Sequence, residues 1–172
     1  MENQKPKTGK FALNYGLILG VLFIILTCAL FAMDMHYKGG MSVLLVSLLL
    51  MLGVIIYALM QFKKANGGFL SFGEGLKVGM GLCLVGGIIS ILFNLILSNV
   101  IDPEMMTKQL EYGRMQMEEA GIAQEQIEAQ IEMSEKFPGP GMQVTFGLIF
   151  IIFTGFVLSL IPTLIMKNEE IE

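Results

Sequence analysis

Four long and nearly uncharged apolar segments constrain this chain more than any other feature. They cover residues 11–33, 41–62, 76–98 and 144–166. Each is long enough to cross a bilayer core, which takes about 20 apolar residues as an α-helix. Because the bilayer core offers no water to backbone groups, each segment must satisfy its own hydrogen bonds by forming a helix. We therefore predict an all-α membrane protein with four transmembrane helices.

Length and composition support one membrane domain over residues 1–172. Only 15% of the residues are charged, against roughly 25% in soluble domains. The lysines at positions 5, 7 and 10 precede the first apolar segment, as they would in a signal peptide. That segment is much longer than the hydrophobic region of a signal peptide, which has about 7–15 residues. We expect the first helix to be retained.

A hydrophilic insert, residues 101–143, separates the third and fourth segments. Asp102-Pro103 is typical of a helix start, with an N-cap side chain followed by proline in the first turn. Gly121 predicts the end of that helix. A second helix is predicted over residues 123–136. Together they predict a helical hairpin that lies on the membrane surface.

The distribution of basic residues predicts the orientation. One set of ends and loops carries Lys5, Lys7, Lys10, Lys63, Lys64, Lys77 and Lys167, and the other carries Lys38, Lys108, Arg114 and Lys136. Basic residues favour the cytoplasmic side. We therefore expect both termini in the cytoplasm and the insert outside.

The junction before the third span reads Ser71-Phe72-Gly73-Glu74. This S-x-x-E pattern predicts a capping box, in which serine and glutamate each satisfy a backbone amide of the other. Lys77 lies one turn after Glu74 and can pair with it. Two interpretations remain open at this point: a helix cap, or a docking or ligand site at the cytoplasmic end of the third span.

The wider junction, residues 62–79, reads FKKANGGFLSFGEGLKVG and resembles the DUF4199 family of bacterial membrane proteins, which are common in Bacteroidetes. The start of the insert at 102–104 and its end at 136–137 agree with that resemblance. Ala123 departs from it, since similar proteins often have a serine cap there. The resemblance implies four spans in a bacterial inner membrane, and it implies no activity.

Small residues recur one helical turn apart on two spans. They are Gly75, Gly79, Cys83 and Gly87 on the third span, and Gly16 and Gly20 on the first. Such spacing lets helix backbones approach closely in lipid. We expect the third-span stripe to form the closest helix–helix contact. Whether that contact lies within one chain, in a homo-oligomer or against another protein is left open.

Residues that could carry chemistry are few. His36 is the only histidine and lies in the turn between the first two spans, so we expect it to be solvated. Asn94 is expected to bond a neighbouring helix. Cys28 and Cys83 differ in depth by roughly 14 Å, too far for a disulfide, whose Cα atoms lie within about 7 Å. We predict no catalytic, cofactor-binding or metal-binding residues and no nucleic-acid surface.

These patterns favour a non-catalytic scaffold or regulatory subunit of the bacterial inner membrane. Its contacts would be the lipid bilayer and either an envelope protein or further copies of itself. A small oligomeric transporter or channel is the alternative, although the spans lack ionisable residues in their middle, as found along ion paths. An enzyme ranks third, because no constellation of polar side chains suggests a reaction.

Overall fold

The computed structural model describes residues 6–135 and 140–168, which are helical over most of their length. The helices are α1 (Thr8–Ala32), α2 (Met41–Ala65), α3 (Phe72–Ile96), α4 (Met105–Glu119), α5 (Gln124–Glu135) and α6 (Pro140–Met166). A π-helical turn, Leu97–Ile101, continues α3.

Four of these helices, α1, α2, α3 and α6, are long and apolar enough to cross a membrane. They contain the four predicted apolar segments. Their outward surfaces are apolar as well, as Phe153 (68% exposed) and Ile165 (78% exposed) show. An apolar surface all round a helix is typical of a membrane span. The prediction of an all-helical protein with four apolar helices is confirmed, and these helices are compatible with a multi-pass membrane protein.

Helix α3 is the centre of the bundle. It packs along α1 on one side and α6 on another, and α2 contacts all three. Glycines of α1 allow the first of these contacts. A Cβ atom built on Gly16 would lie 2.5 Å from Val85 Cβ, and one built on Gly20 would lie 2.9 Å from Ile89 Cβ. The α1–α3 contact therefore depends on the absence of side chains at these two positions.

The bundle has a packed half and an open half. In the packed half, near the ends of α2 and α6, the side chains of Ile55, Leu59 and Phe62 are completely buried. The open half comprises residues 21–32 of α1, 41–50 of α2, 88–96 of α3 and 141–153 of α6. No residue in these four ranges is buried. The helices thus pack tightly at one end and separate towards the other.

The packed half is closed by the turn between α2 and α3. Leu70 and Asn168 exchange two backbone hydrogen bonds of 2.8 and 2.9 Å. Lys63 Nζ donates to the carbonyl of Met166 at 2.9 Å, which satisfies a free carbonyl at the end of α6. The turn and the end of α6 are therefore held together.

The start of the insert differs from the prediction. Helix α4 has Glu104 rather than Asp102 at its N-cap, and no side chain caps it. The Asp102 amide instead donates to the Leu97 carbonyl at 2.7 Å, closing the π-helical turn. The Asp102 carboxylate is bonded to other side chains and is not available as a cap.

The rest of the insert follows the predicted order of helices. Gly121 has φ +72°, the left-handed conformation that ends α4. Helix α5 then runs to Glu135, and Lys136 lies outside the described residues. The helices α4 and α5 contact each other, and Ile127 of α5 is only 1% exposed.

Candidate functional site: a polar cluster beside an apolar cavity

Three charged or polar side chains meet where the α1–α2 turn reaches the start of the insert. His36 Nε2 lies 2.8 Å from Asp102 Oδ2, and Lys108 Nζ donates to both Asp102 oxygens at 3.0 and 3.1 Å. We call these three residues the polar cluster. The His36 side chain is only 2% exposed. The expectation that His36 is solvated is therefore wrong, because Asp102 folds against it from 66 positions further along the chain.

Aromatic rings surround the histidine. The Phe31 ring lies 4.8 Å and the Tyr37 ring 5.4 Å from the imidazole, between ring centroids. Tyr37 also contacts Tyr112 of α4, edge to face at 6.4 Å. Edge-to-face contacts of this kind are favourable beyond the burial of their area. The α1–α2 turn is thus fastened to α4 by rings as well as by charges.

The cluster shifts two pKa values, and both shifts favour the ion pair. Hydrogen bonds from His36 first and Lys108 second hold the pKa of Asp102 below its usual range. The hydrogen bond to Asp102 raises the pKa of Lys108. Hydrogen bonds to an ionised group stabilise its charged form. The arrangement is that of an ionised carboxylate held by two donors.

The carboxylate also determines how the imidazole is used. An ionised carboxylate can only accept hydrogen bonds, so Nε2 must donate to it. In a neutral imidazole the other nitrogen, Nδ1, is then an acceptor. This atom is buried and has no hydrogen-bond partner among the described residues. His36 therefore has one satisfied and one unsatisfied nitrogen.

A cavity of about 310 Å³ lies in the open half, and His36 forms part of its wall. All four long helices contribute to it, and most of its wall is apolar. The apolar part of the wall includes Phe23, Leu26, Leu30, Leu48, Met51 and Ile151. The polar part includes Thr27, Ser47, Ser90 and Asn94. The cavity thus combines a hydrocarbon-like interior with a few hydrogen-bonding groups.

Asn94 does not bond a neighbouring helix, contrary to the expectation. Its Nδ2 donates to the Ser90 carbonyl one turn earlier on α3, at 3.0 Å. The helices have moved apart at this level, so no partner is within reach across the bundle. Asn94 lines the cavity instead.

The stripe on α3 lies against α6 of the same chain. A Cβ built on Gly75 would lie 2.5 Å from Thr163 Cγ2, and one on Gly79 would lie 2.7 Å from Ser159 Cβ. At Gly87 the nearest side chain is Ile151. The remaining stripe residue, Cys83, meets Gly155, where the small residue is on α6. The two helices thus approach at distances that leave no room for an added methyl group.

The junction residues form a helix cap. The Glu74 amide donates to Ser71 Oγ at 3.3 Å, and the Ser71 amide donates to Glu74 Oε2 at 3.0 Å. The Ser71 hydroxyl also donates to Glu74 Oε2. Lys77 is exposed and forms no ion pair with Glu74 in the described part of the chain. The capping bonds hold the Glu74 carboxylate towards Ser71, away from the predicted lysine partner.

Sequence reasoning missed the polar cluster, and it treated the cysteines correctly as separate residues. Cys28 is exposed, Cys83 is buried and both are free. Lys108 had been counted only as a charge of the insert, and Asp102 only as a cap. The weak signal that could have found the cluster is the position of His36 and Asp102 at the same end of two predicted spans.

The fold and the site define a class: a bundle of four apolar helices, with two polar helices inserted before the last. The chain belongs to the DUF4199 family, described as proteins of unknown function, whose profile matches residues 14–168. No curated protein and no solved structure matches the chain significantly.

Proposed function

We propose that this protein is a non-catalytic scaffold or regulatory subunit of a bacterial inner membrane. Both termini are placed in the cytoplasm, and α4 and α5 form a helical hairpin outside that contacts an envelope protein. The observation that carries the proposal is the polar cluster, because it fixes the base of the hairpin to the bundle. A hairpin held in this way presents its remaining surface in a defined position.

The exposed surface of the hairpin supports a role in binding. No residue of α4 is buried, so its surface is available to a partner. Nine acidic residues fall between positions 102 and 135, and of these only Asp102 is bonded in the polar cluster. The basic residues of this region are Lys108, Arg114 and Lys136. A partner with a basic surface fits this charge, because electrostatic complementarity steers association and specificity.

The orientation is supported by where the fold gathers the lysines. Lys63 and Lys64 end α2, and Lys77 and Lys167 flank α3 and α6, all at the closed end of the packed half. Lys7 and Lys10 at the start of α1 join them. Basic residues at one end of a bundle favour the cytoplasmic side for that end.

A photocrosslinking residue tests the scaffold proposal in cells. Placed at Gln116, which is exposed on α4, it should yield one discrete adduct with another envelope protein. Placed at Phe153, an exposed apolar position of α6, it should not yield that adduct. Asp102→Asn, which removes the charge of the cluster, should weaken the adduct at Gln116. Equal adducts at both positions, or none at Gln116, would argue against a scaffold.

The cavity is the observation that favours the alternative, a small oligomeric transporter or channel. In a single chain, however, Ile55, Leu59 and Phe62 fill the packed half completely. A solute path would therefore have to form between copies of the chain. A transporter should change the uptake or efflux of some solute when the chain is deleted, whereas a scaffold should leave solute flux unchanged and destabilise its partner.

A further inference from the structure

The cavity in the open half has properties that point to a ligand. Its volume of about 310 Å³ lies at the lower limit of small-molecule sites, which start near 300 Å³. One water molecule takes about 30 Å³ in the liquid, so the space suits on the order of ten non-hydrogen atoms. Neighbouring helices do not fill it, since no residue in their open-half ranges is buried.

The wall has one unsatisfied buried acceptor. His36 Nδ1 is buried without a hydrogen-bond partner among the described residues, while Nε2 is held by Asp102. Leaving a buried polar atom unpaired is costly, and the cost is removed when a donor is supplied. In the neutral tautomer that Asp102 favours, the missing group is a hydrogen-bond donor.

The remaining wall defines the rest of the ligand. Phe23, Leu30 and Ile151 offer apolar contact, and the spans around the cavity are surrounded by other apolar side chains. A strongly hydrated or charged molecule would lose its hydration here without compensation. A molecule with an apolar body and a single hydroxyl matches both the wall and the acceptor.

We propose that this cavity binds one small lipid-soluble alcohol or phenol, whose hydroxyl donates to His36 Nδ1. The site goes beyond the scaffold role and does not depend on it. The apolar body of the ligand lies between α1, α2 and α6. Its hydroxyl completes the hydrogen bonding of a histidine whose other nitrogen already holds the start of the insert.

The single histidine makes a direct test possible. The full chain, labelled with ¹⁵N-histidine and placed in lipid nanodiscs at about pH 8, where imidazole is neutral, has one Nδ1 signal. The probe is 4-propylphenol, which has about ten non-hydrogen atoms, and propylbenzene is the matched compound without the hydroxyl. The phenol should produce a saturable shift of the Nδ1 signal, and propylbenzene should not.

Two variants distinguish the cavity from the surrounding lipid. Thr27→Phe fills the cavity and should abolish the shift, whereas Ala29→Phe adds the same ring on an exposed face of α1 and should preserve it. Ser90→Leu is a second filling variant if Thr27→Phe does not fold. An absent shift, or one that grows without saturation, overturns the site. Equal shifts in the filling variants assign the effect to lipid, and equal shifts with propylbenzene remove the role of the hydroxyl.

Discussion

The contact between Gly79 of α3 and Ser159 of α6 gives the sharpest prediction about stability. A Cβ built on Gly79 would lie 2.7 Å from Ser159 Cβ. Carbon atoms in favourable contact are separated by about 3.5–4.0 Å, so even alanine requires the helices to move apart by roughly 1 Å. Forcing extra atoms into a packed core costs about 1–3 kcal/mol. Gly79→Ala should destabilise the protein by about that amount.

Gly53 provides the matched control. It lies in the interior of α2, is exposed, and would place a new Cβ within 4 Å of no other atom. Alanine is favoured over glycine inside a helix by about 0.5–1 kcal/mol. Gly53→Ala should therefore leave stability unchanged or raise it slightly. The two variants carry the same chemical change and differ in whether the new methyl group has space.

Cys83 supplies the assay, because it is buried in the same α3–α6 contact and is a free thiol. In a Cys28→Ser background, a thiol-reactive dye should report Cys83 only as the chain unfolds on heating. For a chain of this size, 1 kcal/mol corresponds to about 2–4 °C in Tm. Gly79→Ala should lower the Tm by roughly 2–12 °C relative to the parent, and Gly53→Ala should not lower it.

A second substitution shows whether the contact is the cause. Ser159→Gly removes the atoms that the new methyl group would meet, so it should recover part of the stability lost in Gly79→Ala. A coupling of about 0.5–3 kcal/mol is expected for residues in contact. Equal Tm values for Gly79→Ala and Gly53→Ala, or no coupling with Ser159→Gly, would refute the close α3–α6 contact.

Three further predictions concern the insert. A single cysteine at Gln124, but not at Asn66, should react with a membrane-impermeant thiol reagent in cells with a permeabilised outer membrane and a chain lacking Cys28 and Cys83; the reverse pattern would invert the orientation. The isolated segment 102–138 should be only partly helical by circular dichroism, because short helices without tertiary packing are marginal; a cooperatively melting helical monomer would contradict this. The pKa of Asp102 is lowered on folding, so its ionised form stabilises the protein above about pH 4 and this contribution is lost as the pH falls through the folded pKa. The Tm advantage over Asp102→Asn should disappear between pH 6 and pH 3, and a constant difference would count against the ion pair.

The parts of the fold that sequence predicted are those that local patterns determine. Each span follows from its apolar length, because a bilayer core demands an internally bonded helix. The capping box at Ser71 and Glu74 involves residues three apart, so its geometry is set by the helix start itself. The stripe on α3 identified a surface for close packing, and only the tertiary fold could show that α6 covers it.

The polar cluster could not be predicted because it depends on contacts between distant segments. His36 and Asp102 are 66 positions apart, and nothing in the local sequence of either residue requires a partner. Asp102 also looked like a good cap, since aspartate is favoured at that position. The π-helical turn Leu97–Ile101 changes where α3 ends, and the carboxylate then meets His36 rather than the first turn of α4.

His36 connects the two proposals, because it forms part of the cavity wall and also holds Asp102 at the base of the insert. A ligand that stabilises the buried position of His36 therefore stabilises its bond to Asp102 and the placement of α4. Coupling between two sites is reciprocal in free energy. If the ligand fixes the insert, then loosening the insert with Asp102→Asn must weaken the ligand by the same factor. Binding of 4-propylphenol to this variant, compared with the parent, measures that factor directly, and equal affinities would mean that the cavity and the insert act independently.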